Sequence, residues 1–130
     1  MKNALILCLG LLLFLLSSCG SPSPSGVAAD FAVALNDLDF EKARSLSTPK
    51  THKIISVIET AAAMGQEETL APKGRPDCTC EEKETMATCQ CCYPAAETNE
   101  EDDCLPIIVV QKEGTWLVDV SKESLMNAVN

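Results

Sequence analysis

Six cysteines crowd into 27 consecutive residues: Cys78, Cys80, Cys89, Cys91, Cys92 and Cys104. No other feature restricts the fold of this chain as much. A Cys-x-Cys on either side of a Glu/Lys-rich stretch reads as two extended strands, because residues two apart on a strand share a face. In an antiparallel hairpin, one register sets Cys78 opposite Cys91 and Cys80 opposite Cys89, and both pairs then lie on the same side. Cys92 points to the other side, where Cys104, at the start of the next strand, is left to meet it. An even number of cysteines in an exported domain is the signature of a disulfide framework, and each bridge adds roughly 2–3 kcal/mol by closing a short loop. Six cysteines allow 15 pairings, so disulfides in the sheet are one expectation and this connectivity a narrower one. Two rival readings remain. Cys78, Cys80, Cys89 and Cys91 could hold zinc, which takes four sulfur ligands in a tetrahedron, although Cys-x-Cys on a strand suits it less than Cys-x-x-Cys in a turn. Thiol–disulfide catalysis has less support, for no Cys-x-x-Cys opens a helix that would lower a thiol pKa.

Disulfides persist outside the reducing cytosol, so the N-terminus bears directly on the cysteines. Lys2 supplies a positive flank, and Ala4 to Leu16 form a thirteen-residue apolar run. That length suits the core of a signal peptide, ~7–15 residues, and falls short of the ~20 that span a bilayer as a helix. Leu16-Ser17-Ser18-Cys19 follows. It resembles the lipobox of bacterial lipoprotein precursors, and the resemblance implies lipidation of the Cys19 thiol and cleavage after Ser18. Several acyl chains on one residue make release slow, at roughly 0.8 kcal/mol per buried methylene. Gly20 stands where an inner-membrane retention signal would place Asp, which points to the outer membrane, on its periplasmic face or at the cell surface. Residues 1–18 are thus read as the signal peptide, and 19–26 as the lipidated cysteine with its Ser/Pro tether. Residues 27–130 are a single domain. The tether, fully extended, reaches roughly 20–25 Å, enough to hold a domain clear of the headgroups.

Loss of the signal peptide, whose only charge is Lys2, leaves 112 of the 130 residues and takes the net charge from −9 to −10. So acidic a chain is unsuited to nucleic acid, which requires a basic face, and to electrostatic docking on anionic lipid.

Within the domain, the apolar spacing of Val27, Phe31, Leu35 and Leu38 marks one helix face. Asp39 can cap a second short helix carrying Phe40, Ala43 and Leu46 inward. Thr48-Pro49 opens a third, with Thr48 as N-cap, Pro49 at the first position, and Ile54, Val57, Ile58 and Ala61 as its buried stripe. Gly65 ends it, and 66–77 read as a loop. The period then changes to two. Cys78–Cys80 and Thr85–Tyr93 pair, Pro94–Asp103 form an acidic loop, and Leu105–Lys112 read as a strand covered on both faces. Glu113-Gly114 turns the chain into Thr115–Ser121, with structure starting near Val27 and a short helix over Lys122–Val129. Three helices followed by four antiparallel strands predict an α+β fold in which the helices cover one sheet face.

The stretch from Val27 to Ala43, then Ser47-Thr48-Pro49, and the ending Val110-Gln-Lys-Glu-Gly-Thr-Trp116-Leu-Val-Asp119 resemble a group of small bacterial lipoproteins of unknown function. The group has domains of the cone-shaped nuclear transport factor 2 and ketosteroid isomerase superfamily. The resemblance covers roughly residues 25–122 and implies three helices on a curved sheet, but its motifs are structural and name no reaction. Enzymes of that superfamily place an acid or a His–Asp pair inside the cone. Here the single histidine, His52, lies among Lys50, Thr51 and Lys53 and reads as solvated. Asp30 beside Phe31, and Asp119 opposite the Trp116 face, have no evident partner for acid–base work. Glu97, Glu100, Glu101, Asp102 and Asp103 lack the ligand alternation and turning Gly of a calcium loop. The expectation is a lipid-anchored, non-catalytic module without a cofactor, bound to the membrane and to an envelope protein or small ligand. The alternatives are a hydrolase or isomerase using the cone pocket and a zinc or thiol protein built on the cysteines.

Overall fold

Ser23-Pro24 opens the first helix in the way that Thr48-Pro49 opens the third. In the computed structural model, which describes residues 22–65, 74–94 and 103–121, helix α1 spans Pro24–Asn36. Ser23 is extended, its hydroxyl accepts from the Gly26 N–H at 3.2 Å, and Pro24 occupies the first turn. That N-cap satisfies an amide with no partner inside the helix, and proline loses nothing where its missing N–H would be orphaned anyway. Structure therefore starts before Val27, and Pro24, Ser25 and Gly26 belong to the helix rather than to a tether. Helix α1 buries Val27, Ala28, Phe31, Ala32 and Ala34. It ends before Leu38, which takes a left-handed φ of 57° and stays 37% exposed instead of continuing the apolar face.

Helix α2, Phe40–Ser45, is capped by Asp39, whose carboxylate accepts from the Lys42 N–H at 3.1 Å, and it buries Ala43 completely. Helix α3 spans Pro49–Ala63. Its fully buried residues are Thr51 and Ile55, with Ile58 half-buried on the same side, whereas Val57 is 69% exposed. Of the stripe expected at Ile54, Val57, Ile58 and Ala61, Ile54 packs against the core and Ile58 and Ala61 are half-buried, but the centre of the buried face has moved to Thr51 and Ile55 and leaves Val57 outside. The polar Thr51 faces inward because its hydroxyl has partners there.

The sheet is a four-stranded antiparallel meander: β1 Asp77–Lys83, β2 Met86–Tyr93, β3 Asp103–Lys112 and β4 Thr115–Val118, in spatial order β1-β2-β3-β4. Two-residue turns join β1 to β2 and β3 to β4, with Glu84 and Glu113 at positive φ and Gly114 at 78°. Positive φ in such turns matches the twist of the strands. On strand β3, Ile107 and Val109 are buried on the helix-facing side, where Leu105 nearer the strand's start is 43% exposed, and Ile108 and Val110 on the opposite side are half-buried, so burial is less complete than the expected cover on both faces. Strand β4 stops at Val118 rather than Ser121. Beyond it the Asp119 N–H still reaches the Ile108 carbonyl at 2.8 Å, but the Val120 N–H donates to the Thr51 hydroxyl at 2.9 Å. The helix has taken over the strand's last amide.

Residues 46–48 lie along β4. The Thr48 N–H donates to the Val118 carbonyl at 2.9 Å and the Val118 N–H to the Leu46 carbonyl at 2.8 Å, so the α2–α3 junction is sewn to the sheet edge. One core results, formed by Val27, Ala28, Phe31, Ala43, Ile55, Ala87, Cys89, Cys91, Ile107, Val109 and Val118, with Trp116 packed at its margin. The fold is α+β, three helices against a four-stranded antiparallel sheet. The signal peptide, Cys19, residues 95–102 of the acidic loop and the helix expected over 122–129 lie outside the described residues.

Candidate functional site

The cysteines occupy three bridges: Cys78–Cys91, Cys80–Cys89 and Cys92–Cys104. Each joins residues that face each other directly in the strand register, with Cα atoms 4.0, 3.9 and 4.0 Å apart. The first two share the helix-facing side, where Cys89 and Cys91 are fully buried in the core. Cys92 and Cys104 belong to the opposite side and are half-buried. The four sulfurs considered for zinc are thus bonded in pairs on that inner side, and a disulfide sulfur is not the thiolate that zinc requires. Bridges at successive inward positions of one hairpin replace the aliphatic pairs that would otherwise fill a strand–helix interface. They supply both core volume and covalent closure.

A second cluster joins the start of α3 to the end of β4. The Thr48 hydroxyl donates to Asp119 Oδ1 at 2.6 Å, and Lys50 Nζ lies 3.8 Å from Asp119 Oδ2. Thr51 Oγ1 lies 3.1 Å from the Val118 carbonyl and 3.4 Å from that of Val120, while accepting the Val120 N–H. Asp119 therefore has partners that its sequence position did not reveal, and the Thr48 hydroxyl, 3.3 Å from that of Thr51, donates to Asp119 and caps no backbone amide of its helix. The arrangement fastens two elements. Its two hydroxyls, on Thr48 and Thr51, are each on residues only 1% exposed.

The remaining polar candidates are also engaged in structure. His52 is half-buried, not solvated, and its Nε2 donates to the Arg44 carbonyl at 2.9 Å, which satisfies an acceptor at the end of α2. Arg44 pairs with Glu59 across α2 and α3. Asp30 accepts from Arg75 at 2.5 Å, with both side chains exposed. Asn36 Nδ2 donates to the Tyr93 hydroxyl at 2.9 Å and ties the end of α1 to the end of β2. His52, Asp30 and Asp119 are thus held by three different neighbourhoods and do not converge.

What the described surface offers instead is apolar. The outer side of α3 carries a shallow concavity lined by Ser56, Val57, Thr60, Ala61 and Met64, with Val57 and Met64 69% and 67% exposed. Sequence reasoning placed Val57 and Ala61 inside. The competing spacing Thr51, Ile55, Ile58, Ala62 was the signal that could have found the true inner face, but it begins with a hydroxyl. No helix among the described residues is long and apolar enough to cross a membrane. Compared with protein families, with curated proteins and with solved structures, the chain matches none.

Proposed function

We propose that this chain is an exported lipoprotein, acylated at Cys19 and held on the outer membrane, whose folded domain binds an envelope protein or small ligand, or serves a structural role, without catalysing a reaction. The observation that carries the proposal is the three-bridge sheet. A domain whose six cysteines are all oxidised is built for a compartment outside the reducing cytosol. Export past an apolar segment that ends in Leu16-Ser17-Ser18-Cys19 supplies that compartment. The cone-shaped superfamily named above is part of the proposal, supported by helices that cover one face of an antiparallel meander. The interior between these layers is filled by Phe31, Cys89, Cys91, Ile107 and Val109. Recognition is therefore assigned to the surface, and the outer side of α3 supplies the exposed apolar area that protein contacts use.

Two measurements test this reading. After high-salt and carbonate washing, the wild-type chain stays with the envelope membranes and Cys19→Ala is released; retention of the variant would overturn the anchor. A photo-crosslinker at Val57 gives a discrete product in intact cells, whereas one at exposed Lys112 does not. The same diffuse labelling from both positions would overturn the binding role.

A further inference from the structure

Resting on the lipid anchor at Cys19, we infer that the domain sits directly on the bilayer, with exposed Pro22 and Ser23, at the start of α1, at headgroup level as its lipid-facing surface. The sequence alone grants a seven-residue tether, Gly20 to Gly26. The structure takes back its second half, because Ser23 is already the N-cap and Pro24, Ser25 and Gly26 are helical. Only Gly20, Ser21 and Pro22 separate the acylated residue from the cap. Four Cα steps of at most ~3.6 Å give a reach of about 14 Å, roughly one radius of a domain of this size. A body on so short a leash meets the surface to which it is tied.

Charge decides which part meets it. No ionisable side chain occurs between Cys19 and Ala29; the first is Asp30, which is paired with Arg75. The rest of the domain is acidic and is pushed away from a leaflet that contains anionic lipid. Attachment at an uncharged end and repulsion of the remainder set α1 pointing away from the bilayer. Its other end, at Asp37, then stands about 20 Å higher, from thirteen residues at 1.5 Å each. Partners are confined accordingly to what lies within about one domain diameter of the same leaflet.

The test uses the full lipidated chain in vesicles of phosphatidylethanolamine with a minor share of phosphatidylglycerol. A benzophenone amino acid is placed at Ser25, at exposed Pro22 or at exposed Asp37. Lipid labelling is expected to be severalfold greater from Pro22 and Ser25 than from Asp37. A flexible Gly/Ser insert of about twelve residues between Pro22 and Ser23, adding roughly 20 Å, should bring Ser25 down to the Asp37 level. Equal labelling from all three positions, or an insert without effect, would overturn the inference while flotation with the vesicles still upheld the anchor. Failure of the wild-type chain to float would overturn the anchor, and this inference with it.

Discussion

Thr51 shows how much one hydroxyl can carry. It lies 1% exposed at the start of α3, accepts the Val120 N–H at 2.9 Å and faces the carbonyls of Val118 and Val120. Thr51→Val keeps the shape and strips the buried amide of its acceptor. An unsatisfied buried donor costs about 1–3 kcal/mol, so urea unfolding of Thr51→Val should show a loss in that range, with Thr51→Ser recovering most of it. Glu113 is the reverse case, since it holds φ 52° ahead of Gly114 in a two-residue hairpin turn. Asn tolerates positive φ better than Glu, and Asn-Gly is the preferred sequence for such turns. Glu113→Asn should therefore raise the unfolding midpoint, by an amount equivalent to about 0.5 kcal/mol.

At the scale of elements, α3 and the cysteine hairpin make the sharpest claims. Ile55 is fully buried and Val57 is 69% exposed, although they stand two residues apart on one helix. Ile55→Ala should cost about 2–5 kcal/mol through lost packing and the cavity left behind, whereas Val57→Lys should change stability by less than about 0.5 kcal/mol. Equal losses in chemical denaturation would mean that α3 is rotated from the orientation described. In the hairpin, the Cys80–Cys89 loop is nested inside the Cys78–Cys91 loop. Either bridge already holds the strands together, so their loop-closure terms are not additive. Replacing one pair with alanine should be cushioned by the other, and the quadruple variant should lose more stability than the two double variants combined. The Cys92–Cys104 bridge closes its own loop across β2 and β3. Its removal should cost about 2–3 kcal/mol.

For the whole molecule, the native domain should weigh six hydrogens less than its fully reduced form, with no metal bound. Peptide mapping without reduction should recover the three pairs described, and free thiols together with zinc would reinstate the metal reading. Much of this architecture was legible beforehand because the signals are local. Asp39 and Thr48-Pro49 mark helix starts through orphaned backbone amides, and paired Cys-x-Cys segments can face each other in only one antiparallel register if both bridges are to form. Ser23-Pro24 carries the same kind of signal as Thr48-Pro49, yet the surrounding Ser, Pro and Gly composition hid it. What the chain could not disclose by itself depended on distant partners. Thr51 turns inward because β4 ends in carbonyls and an amide that need it, and that choice rotates α3 and leaves Val57 outside. Asp119 finds Thr48 across 71 residues, and His52 finds the end of α2. Periodicity and capping, set by neighbours a few residues apart, thus determined which segments are helices and strands. Periodicity also found the inward faces of α1 and α2, but which side of α3 is buried was decided only in the assembled structure, where every buried polar group must meet a partner.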